Sequence, residues 1–319
     1  MLAWEDSSAS VRAMGFIIFH FSGHTEHEMG AGHPERPERL ESVMAHLKET
    51  KILEKCDLRE PPVVTRAALE RVHEKDYLDA LYKKAPKEGM AMLDPDTRLA
   101  PGSLKAAEKA AGALEEAVKL VVGGKAKRIF CAGRPPGHHA ESDVAMGFCF
   151  FNNVAVGAAA ALADPSIKRV AVVDFDVHHG NGSVEMFQDT PEAMVCSSFQ
   201  HPFYPNRYHD VERHHLVYTK LPAGTSGKEF REAVERDWTP ALKKHKPDLL
   251  FISAGFDAHA DDPLADLRLN EDDFRWVTRL LVGYAEEYCD GRVISTLEGG
   301  YNLEALSKSV AAHLEVLLD

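Results

Sequence analysis

Short runs that are apolar on both faces recur along this chain, and they constrain its fold more than any other feature. Leu249-Leu250-Phe251-Ile252-Ser253-Ala254 is one, and Val170-Ala171-Val172-Val173 is another. A strand that is apolar on both faces must be covered on both sides, as in a parallel sheet sandwiched between helices. Further strand candidates are Phe16–His20, Arg128–Cys131, the extended run Val170–Phe175, Met194–Phe199, Leu216–Leu221 and Val293–Leu297. Between them lie 3.6-period patterns that predict helices over Glu38–Thr50, Asp76–Lys84, Gly102–Val122, Asn152–Ala163, Gly182–Phe187, Lys228–Lys244, Glu271–Cys289 and Leu303–Leu318. Such alternation predicts an α/β chain with a mostly parallel sheet. Asn270, followed by acidic residues, reads as a helix N-cap.

No linker parts the 319 residues, so residues 1–319 read as one domain, with 1–14 a poorly ordered or loosely packed segment. That segment has no apolar core of the signal-peptide kind. No run approaches the ~20 apolar residues a membrane span needs. Five cysteines without a CxxC pair read as buried free thiols in a reducing, cytoplasmic setting. With 50 acidic against 37 basic residues the net charge is −13, which argues against nucleic acid as a partner and favours cationic substrates. Simple solubility explains the same charge.

In an open α/β sheet, ligands bind beyond the carboxyl ends of the strands. Three polar clusters fall there. Asp174, Asp176 and His178 alternate directly after an apolar strand, so an extended backbone aims them to one side. A carboxylate and an imidazole are two-thirds of a three-ligand catalytic zinc site. A helix cap with a satisfied histidine is the plainer alternative, but carboxylates after Val-Ala-Val-Val are costly unless paired or metal-bound. Asp257, past the strand Leu249–Ala254, offers the third ligand. Pro135-Pro136-Gly137-His138-His139 sets two imidazoles on a rigid turn, suited to taking and returning a proton. Tyr301, after Gly299-Gly300 at another strand end, is placed either to donate to an oxyanion or to pack on the next helix. Two further histidine groups, His24, His27 and His33, and His201, His209, His214 and His215, have no ligand spacing and read as solvated loops.

At these residues the chain resembles the zinc-dependent histone deacetylase superfamily, which includes bacterial deacetylase-like amidohydrolases and acetylpolyamine amidohydrolases. The matching stretches are Gly32 to Arg39, Arg134 to Ala140, Gly147 to Asn153, Asp174 to Gly182, Ser253 to Asp257 and Glu298 to Asn302, in family order and nearest to class II. The resemblance implies an arginase-like α/β fold with an eight-stranded sheet. It implies zinc on Asp176, His178 and Asp257, with Fe(II) as an alternative native metal, and a structural potassium ion. The potassium would use Asp174, Ser198 and backbone at Asp176, His178 and Phe199. His139 would be the general base and then acid, His138 its partner oriented by Asp174, and Tyr301 the carbonyl donor. Gly147 and Phe148 would form one wall of an acyl-lysine tunnel, Tyr204 the other, and Asp96 and Leu264 its rim. Arg39 would line an internal acetate channel.

Two departures stand out. Asn181 replaces the Asp that class I members place behind the second histidine, which should leave His139 less basic. Leu264 stands where the polyamine-specific class II enzyme has Glu and offers no anchor for a distal ammonium. The implied activity is removal of acetyl or related acyl groups from lysine side chains of peptides or proteins. Acetylpolyamine hydrolysis is the alternative within the same chemistry, and a homo-oligomer is compatible with either. A dinuclear ureohydrolase would need more bridging carboxylates than one Asp-x-His and one Asp supply. A catalytically silent acyl-lysine binder would not need His138, His139 and Tyr301 together.

Overall fold

The computed structural model describes residues 15–319, so the expectation for residues 1–14 lies outside the described residues. Eight strands form one sheet: β1 (Phe16–His20), β2 (Cys56–Arg59), β5 (Arg128–Ala132), β6 (Val170–Asp174), β7 (Ala193–Gln200), β8 (Leu216–Leu221), β9 (Leu249–Ala254) and β10 (Val293–Leu297). A separate antiparallel pair joins β3 (Ala91–Met92) to β4 (Arg98–Leu99). The helices are α1 (Glu38–Glu49), α2 (Arg66–Leu69), α3 (Lys75–Lys84), α4 (Ser103–Val122), α5 (Asn153–Leu162), α6 (Asn181–Phe187), α7 (Gly227–His245), α8 (Glu271–Tyr288) and α9 (Leu303–Leu318).

The large sheet runs β2-β1-β5-β10-β9-β6-β7-β8, and every neighbouring pair is parallel. It is the helix-covered parallel α/β architecture that the sequence predicts. Where the sequence predicts a mostly parallel sheet, the sheet is wholly parallel. Its edge strand β2 escaped that reading because Asp57, Leu58 and Arg59 are exposed, and an edge strand carries little apolar signal.

The period-two alternation of the strands sorts their side chains between two cores. Ile18, Ala171, Val173 and Ile252 pack with α1, α7, α8 and α9 on one face. Ile17, Phe19, Val170, Val172 and Phe251 pack with α4, α5 and α6 on the other. The continuous apolar runs are thus buried twice over, which removes the ambiguity a one-dimensional pattern leaves. Asn270 caps α8 through its side chain, accepting from the Asp272 N–H at 2.9 Å, with Asp273 closing a capping box. No helix among the described residues is long and apolar enough to cross a membrane. Of the five free cysteines, Cys131, Cys149, Cys196 and Cys289 are buried and Cys56 is half-buried.

Candidate active site

The ends of β5, β6, β7, β9 and β10 deliver the polar clusters to one place, because parallel strands all point their carboxyl ends the same way. β6 and β9 are direct neighbours, with Asp174 level with Ser253, so the turns after them face each other. His178 Nδ1 lies 3.1 Å from Asp176 Oδ1 and 3.1 Å from Asp257 Oδ2. The ligand atoms of Asp176, His178 and Asp257 all fall within 4.8 Å of one another, and no other such group occurs among the described residues. Two buried carboxylates and one imidazole at this spacing fit a divalent cation of zinc type.

Backbone donors hold the carboxylates. Asp257 Oδ1 accepts from the Val177 N–H at 2.9 Å and Asp176 Oδ2 from the Gly299 N–H at 2.8 Å. Glycine is required at 255 and 299: a Cβ at either would collide with Asp176, and at 299 with Asp257 as well. Burial and then the neighbouring Asp176 push the Asp257 carboxyl up to about 7. Burial alone would lower the His178 imidazole, but its contacts with Asp176 and Asp257 carry it up to about 10.

The two adjacent histidines are buried, not solvated, and their rings lie 4.0 Å apart. Glu298 Oε2 fixes their turn, accepting from the Gly137 and His138 N–H groups at 2.6 and 3.1 Å. His138 Nδ1 meets Asp174 Oδ2 at 2.9 Å. Burial opposes its charge, but Asp176 and Asp174 raise its pKa well above the usual imidazole range. His139 Nδ1 meets Asn181 Oδ1 at 2.7 Å. Its pKa falls well below the usual range. The larger causes are burial and the neighbouring His138 and His178, while the Asn181 hydrogen bond opposes them.

A cleft of about 190 Å³ opens above these groups, lined by Asp96, His139, Gly147, Phe148, His178, Phe203, Tyr204, Leu264 and Tyr301. Gly147, Phe148, Tyr204, Leu264 and Asp96, separated widely in sequence, are thereby brought together. Phe148 takes a left-handed backbone (φ 69°) and packs edge-on to Tyr301, ring centroids 5.8 Å apart. Tyr204 packs edge-on to His139 at 5.3 Å, and Phe203, which the sequence reading passed over, stacks on His178 at 5.5 Å. Arg39 lies against Tyr301 from within, its guanidinium 4.8 Å from the ring centroid. Burial keeps the Tyr301 hydroxyl well above its ordinary pKa despite Arg39, so it is a protonated donor.

The residues expected to hold potassium lie at the end of β6 and on its neighbour β7. Asp174 Oδ1 accepts from the Asp176 N–H at 3.0 Å, while Ser198 and Phe199 lie on β7. The neighbouring hydroxyl, Ser197, is the one that meets His179 Nδ1, at 3.1 Å.

The first histidine-rich loop departs from the expected solvated state. His24 and His27 are buried, because Arg134 reaches under the loop to their carbonyls at 2.7 and 3.0 Å while forking onto Glu35 at 2.7 and 2.8 Å. His33 packs on Phe148 at 4.7 Å and bonds the Asp96 carbonyl at 3.0 Å, bracing both cleft residues. In the second loop His214 is exposed and His201 and His209 are partly so, but His215 is buried and bonds the Phe187 carbonyl at 2.9 Å. Asp262, also missed, accepts from the Tyr301 N–H at 2.7 Å and the Leu264 N–H at 3.0 Å, tying rim to site.

Comparison with known proteins gives a consistent picture. The model of the family described as histone deacetylase domain matches residues 33–317. A histone deacetylase-like amidohydrolase of Pseudomonas aeruginosa is 36% identical over 279 residues, covering 85% of this chain and 73% of its own length. A probable deacetylase of Archaeoglobus fulgidus is 33% identical, covering 90% of this chain and 81% of its own. The crystal structure of the HDA15 HD domain superposes with a TM-score of 0.89 at 32% identity, over 96% of this chain and 89% of that one.

Proposed function

This chain belongs to the histone deacetylase family, and from that premise we propose that it is a zinc-dependent hydrolase removing acetyl groups from lysine side chains of peptides or proteins. We read residues 1–319 as one deacetylase domain and its setting as cytoplasmic, in keeping with its free thiols. The observation that carries the activity is the meeting of three things in one cleft: the Asp176/His178/Asp257 group, the paired imidazoles and the Tyr301 hydroxyl.

Zinc held by those three ligands would supply Lewis acidity toward both the attacking water and the scissile carbonyl. His139, whose Nδ1 is occupied by Asn181, presents Nε2 to take a proton from the water and return it to the departing amine. His138, with Asp174 behind it, holds positive charge beside the developing oxyanion. Tyr301 donates to that oxygen. Phe148 and Tyr204 flank the acyl-bearing methylenes and exclude water, and Asp96 at the rim accepts from substrate amides. A structural potassium ion would sit at Asp174, Ser198 and Phe199, with Ser197 level with Asp174 on the neighbouring strand.

The test is a panel of acetyllysine peptides, acetylputrescine and acetylspermidine, run before and after chelation. Hydrolysis should vanish on chelation and return with one equivalent of Zn²⁺. Full activity in metal-free protein would overturn the metal assignment, and no hydrolysis of any member would overturn the reaction.

A further inference from the structure

His139 must carry its proton on Nδ1 if Nε2 is to accept one, and the structure shows what enforces this. The Asn181 side chain touches His139 through Oδ1, while its Nδ2 lies 2.6 Å from Glu141 Oε1, 3.2 Å from the His139 carbonyl and 3.5 Å from Met146 Sδ. All three partners on that side are acceptors, so the amide nitrogen belongs there and the oxygen faces the ring. An oxygen facing Nδ1 requires a hydrogen on Nδ1. Glu141 provides the shortest of these contacts, and it is charged only if its own burial is offset. Arg207 Nη2 does this from 2.7 Å, pairing with a carboxylate that is 2% exposed.

We propose that Glu141, with Arg207 as its counter-charge, is a positioning residue that fixes the tautomer of His139 through the Asn181 amide. A neutral partner at 141 could donate to Asn181 instead of accepting. Only the longer contacts to the His139 carbonyl and Met146 would then oppose a turn of the amide that presents its NH₂ to His139 Nδ1 and moves the ring proton to Nε2, where it blocks base catalysis. Burial raises the Glu141 pKa, with Asn181 and Arg207 opposing, so loss of either partner favours that neutral state.

The origin of Arg207 adds a link to substrate binding. It sits in the segment that supplies Phe203 and Tyr204 to the cleft. Its neighbours Asn206 and Tyr208 both take left-handed backbones, φ 55° and 54°, a conformation few non-glycine residues adopt. The ion pair therefore ties a tunnel wall to the orientation of the base.

This inference rests on the deacetylase reading for its kinetic consequence but not for its structural one. The experiment uses the full chain with ¹⁵N-labelled histidine, comparing wild type with Glu141→Gln, Arg207→Met and Arg207→Lys. Wild type should show His139 as the Nδ1–H form. Glu141→Gln and Arg207→Met should gain Nε2–H form and lose about 10-fold or more in kcat on an acetyllysine peptide, the usual scale for an orienting partner, with KM within about twofold. Arg207→Lys should restore most of the loss. A wild-type His139 in the Nε2–H form, or an unchanged tautomer and kcat in Glu141→Gln, would overturn the proposal. Should Glu141→Gln fold poorly, the half-exposed Arg207→Met decides by the same readouts. A wild type with the Nδ1–H form but no hydrolysis would sink the deacetylase reading alone.

Discussion

Single residues in this site work by being prevented from doing something else. Tyr301 is a case in point. Its backbone N–H is bound by Asp262, its ring lies between Phe148 and Arg39, and burial holds its hydroxyl protonated. In the proposed role of oxyanion donor, a hydroxyl so fixed needs no reorganisation when charge develops beside it. Tyr301→Phe should therefore lower kcat by about 10²-fold, the scale of one oxyanion donor, while bound zinc, measured by elemental analysis, stays unchanged. A loss below about threefold would assign the residue to packing against Phe148. The sequence could not choose between those roles, because both place a tyrosine after a glycine pair.

At the scale of elements, a buried histidine ties two helices to the sheet. His313 on α9 bridges Thr278 on α8 and Ser295 on β10, at 2.7 and 2.8 Å. The Thr278 hydroxyl donates to the Phe274 carbonyl, so it must accept from His313 Nδ1–H, which leaves Nε2 to accept from Ser295. That arrangement suits only the neutral ring, and burial pushes its pKa down to about 3. The folded pKa thus lies below the unfolded one of 6.5, so this contribution is complete above about 6.5 and is lost as pH falls toward 3. Wild type should lose about 2 kcal/mol more stability than His313→Gln on going from pH 7 to pH 5. Urea unfolding of both proteins at the two pH values measures the difference, and equal losses would show that His313 titrates as an ordinary histidine.

For the molecule as a whole, two influences on substrate choice oppose each other. The net charge of −13 draws polycations. The cleft rim is local: Leu264 offers no partner to a distal ammonium, while Asp96 can accept from a peptide backbone. Long-range attraction between solvated charges is screened within about 8 Å at physiological salt, so the rim should prevail. Acetyllysine peptides should exceed acetylspermidine in kcat/KM at 0.15 M salt, and Leu264→Glu should move the ratio toward the polyamine by about 10-fold, the effect of one partly desolvated pair. A wild-type preference for acetylspermidine would show that the diffuse field governs.

The sequence by itself determined the layers, the parallel character of the sheet and the polar groups that gather beyond its strand ends. Apolar runs such as Leu249–Ala254 dictate a sheet covered on both faces, and carboxylates that end such runs must find a cation or a donor. Asp176, His178 and Asp257 were therefore legible, since each stands where an apolar strand stops. The supporting residues were not. Glu141, Arg207, Asp262 and His33 act on partners 39 or more positions away, and nothing local marks a glutamate that binds Asn181 or a histidine that braces Phe148. The buried His24 and His27 were misplaced for the same reason: Arg134, over 100 residues distant, supplies the donors that let their loop leave water. Local chemistry states which groups need partners, and only the folded chain decides which partners they meet.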